Sequence, residues 1–147
     1  IYTALLKGFI AYVNTPFPKG TRGVHLEGLV REPLWKKGWD YAHATGHGVG
    51  SFLDVHAPPT LSSKDDGVMF EPSMIVTCEP GCYGVQDTGM RIENMMYVQK
   101  TDLSASHSDL KNFFCFLFNF KNYGNFKRSK TSTFTKRQKL RPVPMKS

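Results

Sequence analysis

Glycine stands at every second position of Gly46-His47-Gly48-Val49-Gly50, and no other stretch of this chain limits its fold as tightly. Three glycines in five residues oppose a helix, since each costs about 1 kcal/mol relative to alanine in a helix interior. In an extended segment the same glycines let another group, a metal ion or a substrate, approach the backbone closely. His43 precedes His47 by four residues, the spacing of the helical HExxH zinc motif, but Ala44 occupies the Glu position and the glycines oppose the helix.

Upstream the texture differs. Ile1, Leu5, Phe9 and Val13 fall four apart, with Leu6 and Ile10 beside them, which is the stripe of an amphipathic helix ended by Asn14, Pro16 and Pro18. A second helix is predicted through Leu26, Leu29 and Val30, with a kink or restart at Pro33 and a stop at Gly38. From residue 39 onward Gly-rich, β-branched and aromatic segments predict strands and loops: a polar loop over 57 to 67, a short strand at 74 to 77, and a strand over 90 to 98. In that last strand the period of two puts Arg91 and Glu93 on one face, and Met90, Ile92 and Asn94 on the other.

The net charge of +7 belongs to one end of the chain. Residues 1 to 100 carry nine Lys and Arg against ten Asp and Glu, a net −1, whereas residues 101 to 147 carry ten against two, a net +8. Two units are therefore expected: a folded body over 1–100 and a divergent basic tail over 101–147, disordered or poorly packed. Such a tail attracts anions without selectivity, so no specific nucleic acid is expected as a partner. Three cysteines without a CxxC pair form no even disulfide set and suit a reducing, cytoplasmic setting. The longest apolar run, residues 113 to 118, falls far short of the roughly 20 residues that cross a bilayer, so no membrane span is expected. Ile1 opens directly into the helical pattern, and the chain is expected to begin part-way through a larger protein.

The candidate chemistry lies in the body. His47, Glu79 and Glu93 sit in three separate strand-like segments, and one imidazole with two carboxylates is a donor set that suits Mn, Fe, Co or Zn. His56, nine residues beyond His47, reaches the same pocket as a donor or acceptor, or is a structural histidine at a strand end. Arg91 shares a face with Glu93 and either orients that carboxylate toward a metal or forms an ordinary cross-strand ion pair. Cys78 and Cys82 match no common metal signature and are expected as buried small apolar residues.

Taken in order, Arg31-Glu32-Pro33-Leu34-Trp35, His43, Thr45-Gly46-His47-Gly48-Val49-Gly50, Val55-His56, Glu79-Pro80-Gly81 and Arg91-Ile92-Glu93-Asn94 resemble the M24 metallopeptidases, and within them the Xaa-Pro aminopeptidases (aminopeptidase P). The resemblance runs from Ile1 to Lys100. It implies an α+β architecture, a partial pita-bread fold with helices packed on a curved antiparallel sheet. It implies hydrolysis of the N-terminal Xaa-Pro bond, with peptides carrying proline at the second position as substrates and a homodimer as the assembly. The same resemblance makes His47, Glu79 and Glu93 metal ligands, Glu79 the proton carrier, His56 the group that steadies the tetrahedral intermediate, and His43 a substrate-pocket residue. The cofactor it implies is a divalent metal, manganese first, with zinc or cobalt as alternatives, in a dinuclear site. Two aspartate ligands that the family draws from upstream strands have no counterpart in this sequence, so at most one weak metal site is expected from this chain alone. The absent aspartates raise a non-catalytic pita-bread binding module or an inactive truncated product as the alternative, and departures at Ala44, Asp54, Ala57-Pro58, Cys78 and Cys82 point the same way as that loss of ligands.

Overall fold

The computed structural model describes residues 1–85, 87–101, 103 and 113–117. Two helices open the chain: α1 (Tyr2–Asn14) and α2 (Gly23–Trp35), with the two-residue strand β1 (Phe17–Pro18) between them. The strands that follow are β2 (Gly46–Gly48), β3 (Ala57–Leu61), β4 (Ile75–Cys78), β5 (Gly81–Val85), β6 (Thr88–Arg91), β7 (Asn94–Lys100) and β8 (Phe113–Leu117). Six of them build one sheet in the order β1-β8-β7-β4-β2-β3, while β5 and β6 form a separate two-stranded ribbon. Every pairing is antiparallel.

The apolar stripe of α1 buries Leu5, Phe9 and Tyr12, and α2 adds Leu26, Val30 and Leu34. These meet Val76, Met96, Val98, Phe114 and Phe116 of the sheet in a single core. The helices cross closely because residue 8 is glycine: a Cβ there would collide with the Val30 carbonyl. Gly38 ends the α2 segment as expected. Its φ of +70° is the left-handed conformation glycine adopts freely, and the Gly38 and Trp39 amides donate back to the Trp35 and Leu34 carbonyls.

Several sequence expectations change here. α2 runs through Pro33 without restarting, since the missing proline N–H removes one bond only three residues from the helix end, and Lys36 still donates to Glu32. The loop expected over 57 to 67 contains β3, held by pairing with β2. The single strand expected over 90 to 98 is two strands: β6 belongs to the ribbon and β7 to the main sheet. The break is where Ile92 turns into the core and donates its amide to the Pro80 carbonyl. Residues 113–117, expected within a poorly packed tail, pair with both β1 and β7 and bury Phe114 and Phe116. The rest of that expectation falls almost wholly on residues outside those described.

The core contains one polar defect. Tyr12 is fully buried against Phe116, and its hydroxyl has no hydrogen-bond partner among the described residues. Burial, then the nearby Cys78, pushes its pKa well above the ordinary phenol value. Removing a buried hydroxyl that lacks a partner removes its desolvation cost. Tyr12→Phe is therefore expected to stabilise the fold by about 1 kcal/mol, read as a rise in the urea midpoint with an unchanged m-value.

Candidate active site

The main sheet has one face covered by the helices and one face open. Val76, Met96 and Val98 point into the core, whereas Ile75 and Met95 on the alternate positions are exposed. Gly48 pairs with Val76, so its neighbour His47 falls on the open side, where its amide donates to the Thr77 hydroxyl oxygen at 3.0 Å. The flanking glycines are required by crowding. A Cβ at Gly46 would strike the Thr77 carbonyl, and one at Gly48 the Pro58 carbonyl.

The register of β4 and β7 brings the two candidate carboxylates toward each other. Their pairs run Ile75 with Tyr97, Val76 with Met96, Thr77 with Met95 and Cys78 with Asn94. Glu79 and Glu93 each lie one residue beyond the last pair of that register, since β4 ends at Cys78 and β7 opens at Asn94. Like charges directly opposite each other on adjacent strands are destabilising unless a cation lies near. Arg91 supplies part of that charge. Its Nη1 lies 3.2 Å from Glu79 Oε2. Its partner is thus Glu79 rather than the Glu93 expected from strand alternation, because residues 91 and 93 do not share one continuous strand. Burial opposes the charge of Arg91, but the bond to Tyr83 together with Tyr83, Glu79 and Glu93 electrostatics raises its pKa.

His47 meets the other oxygen of Glu79, with Nε2 3.1 Å from Oε1, both side chains being mostly buried. Nδ1 is 2.9 Å from the Gly48 carbonyl. A carbonyl only accepts, so Nδ1 carries a proton and Nε2 is the nitrogen turned toward the carboxylate. A proton or a cation between Nε2 and Oε1 would satisfy both atoms. Two donors each about 2.1 Å from one ion and at right angles stand about 3.0 Å apart. The His47–Glu79 pair therefore fits one edge of a metal coordination sphere, and the Nδ1–H bond to a carbonyl is the usual way such a histidine is oriented. Among the described residues no group of three or more His, Cys, Asp or Glu is gathered closely enough to hold an ion. Glu93 is exposed, whereas His47 and Glu79 are mostly buried.

The remaining candidates lie around this pair. The His56 ring meets that of His47 edge-on, with centroids 4.5 Å apart. His43 is half-buried on the loop before β2. Its Nδ1 donates to the Ala44 carbonyl and its Nε2 is 2.9 Å from the Tyr83 hydroxyl. That hydroxyl also accepts from Arg91 Nε at 3.1 Å. A continuous chain of contacts thus runs His43, Tyr83, Arg91, Glu79, His47. Sequence reasoning missed Tyr83 and Thr77, whose hydroxyl lies 3.3 Å from Glu79 Oε1. Strand parity would have found Thr77, two residues before Glu79, but the Tyr83 role depends on the β5–β6 pairing. Cys78 and Cys82 are free and buried, as expected of small apolar residues. Burial, and then Glu79, raises the Cys78 thiol pKa, so this sulfur is not a ready ligand.

A family model described as metallopeptidase family M24 matches residues 1–100. Aminopeptidase P1 of Lotus japonicus is 49% identical over 109 residues, covering 74% of this chain and 17% of the relative. A probable Xaa-Pro aminopeptidase P of Tuber melanosporum is 46% identical over 111 residues, 74% of this chain and 18% of the relative. Among solved structures, the X-prolyl aminopeptidase of Caenorhabditis elegans, described as a cytosolic enzyme with a dinuclear active site, superposes with a TM-score of 0.70 at 37% identity, covering 78% of this chain and 18% of that one. An Xaa-Pro dipeptidase of Bacillus anthracis gives 0.58 at 35% identity, covering 66% and 27%. The chain thus spans less than one fifth of the curated relatives it matches.

Proposed function

The chain belongs to metallopeptidase family M24, and from that premise we propose that it supplies part of the metal site of an enzyme that removes an N-terminal residue preceding proline. The observation that carries this reading is the His47–Glu79 contact at 3.1 Å, with Arg91 on the second carboxylate oxygen. His47 and Glu79 would hold a divalent ion, with Glu93 joining from the facing strand. When bound, the ion supplies Lewis acidity toward a carbonyl and toward water. Manganese is the expected ion, and zinc or cobalt satisfy the same donors.

The chain's own residues do the rest. Glu79 is the proton carrier in this reading, and Arg91 engages its second oxygen at 3.2 Å. His56, edge-on to His47 and open to solvent, is placed to hydrogen-bond a reacting carbonyl oxygen. His43, held by Tyr83, lines the substrate side. The substrates are peptides with proline in the second position. The cytosol suits the three free cysteines, and the assembly expected is a homodimer. Among the described residues no helix is long and apolar enough to cross a membrane.

The test compares two peptides that differ only in proline or alanine at the second position, incubated with the chain and added Mn2+. Release of the first residue from the proline peptide alone, stopped by chelator and restored by Mn2+, is the expected result. Equal release from both peptides would overturn the X-Pro assignment. A second reading, a non-catalytic binding module, is favoured by the exposure of Glu93 beside a His47–Glu79 pair that is mostly buried. It predicts peptide binding without release.

A further inference from the structure

Arg31 of α2 lies outside the site, yet all five of its N–H donors are engaged. Nε and Nη2 reach Glu27 Oε1 at 2.9 and 2.7 Å. Nη1 reaches Asp40 Oδ1 at 2.5 Å and the Tyr41 carbonyl at 2.8 Å. Nη2 also reaches the His43 carbonyl at 3.0 Å. The guanidinium lies over the Tyr41 ring, 3.9 Å from its centre. Both charged side chains are nearly buried, 11% exposed for Arg31 and 8% for Glu27.

This is more than an i,i+4 helix pair needs. Glu27 Oε1 also accepts from the Thr45 hydroxyl at 3.1 Å, and the Tyr41 hydroxyl is 2.5 Å from that same Thr45 oxygen. Thr45 is fully buried. Its amide donates to the Leu61 carbonyl and its carbonyl accepts the Glu79 amide, each at 2.7 Å. One buried cation and one buried carboxylate therefore fix a loop that carries His43 at one end and anchors Glu79 from the other.

We propose that Arg31 and Glu27 are positioning residues for the site, holding the His43 carbonyl directly and the Glu79 backbone through Thr45. The proposal rests on the reading of His43 and Glu79 as site residues. A lysine cannot replace Arg31, because an ammonium has three donors and no planar fork to span Glu27, Asp40 and two carbonyls at once.

Amide hydrogen exchange on the isotopically labelled chain separates positioning from plain stabilisation. The Glu79 amide reports the Thr45 contact, and the Val98 amide, which donates to the Met74 carbonyl, reports the sheet. In Arg31→Lys the Glu79 amide is expected to exchange at least tenfold faster relative to Val98 than in the unsubstituted chain, with a shift of the His43 ring resonances. An equal acceleration at both amides, in step with the urea midpoint, would mean a merely structural residue and would overturn the proposal. Glu27→Gln, which keeps the acceptor oxygen and loses the charge, is read by the same ratio should Arg31→Lys not fold, and an unchanged ratio there overturns it as well. Mn2+ titration of the unsubstituted chain is kept separate. Failure to bind there counts against the metal reading, while the exchange ratio judges the positioning claim independently.

Discussion

Replacing Glu79 by alanine is expected to lower the affinity of this chain for Mn2+ at least a hundredfold, measured by calorimetric titration. Glu79 is the only group among the described residues that touches both His47 and Arg91. Its loss removes one donor outright and leaves the second, His47 Nε2, without the partner that fixes where an ion sits. Substituting a residue that only orients a ligand typically costs 10 to 100-fold in metal affinity, so loss of the ligand itself falls at or beyond that range. The fold should persist, since the Glu79 amide keeps its bond to the Thr45 carbonyl whatever the side chain. Thr77→Val supplies the graded control: it removes a hydroxyl beside Oε1 without removing a donor, and should fall between the two. Equal Mn2+ binding by Glu79→Ala and the unsubstituted chain would refute the assigned ligand.

Phe17→Ala is expected to cost about 3–5 kcal/mol of stability, read from urea unfolding. Phe17 is 1% exposed and its ring meets three others, Phe70 at 5.3 Å, Phe116 at 4.9 Å and Phe114 at 6.1 Å. Truncation leaves a ring-sized cavity among side chains that belong to β1, β8 and the loop before β4. Small domains hold only about 5–15 kcal/mol in total, so the variant should be partly unfolded without denaturant. A shift below about 1 kcal/mol would mean that the cluster collapses around the gap.

Much of this was legible in the sequence where the signal is local. The α1 stripe, the Gly38 stop and the glycines around His47 each follow from backbone sterics or helix periodicity. The misreadings share one cause, that long-range pairing decided them. Nothing near Ile92 announces that the chain leaves one sheet for another. Nothing near residue 57 says that β2 will make Ala57–Leu61 a strand, and the basic composition after residue 100 concealed β8. The Arg31 network was invisible for the same reason: two of its acceptors are main-chain carbonyls and its recipient, Glu79, is 48 residues away.

The place of β8 also bears on how the chain emerges during synthesis. Phe17 of β1 is made 97 residues before its partner Phe114, and the β8 strand fills the gap between β1 and β7. Until Leu117 has been added, the hydrogen-bonding edges of β1 and β7 are both open. At about 5–20 residues per second, the seventeen residues from Lys100 to Leu117 take roughly 1–3 s. For that interval the nascent chain presents two unpaired edges beside an aromatic core lacking Phe114 and Phe116, which is when a chaperone, or a neighbouring nascent chain, can most readily add a strand of its own.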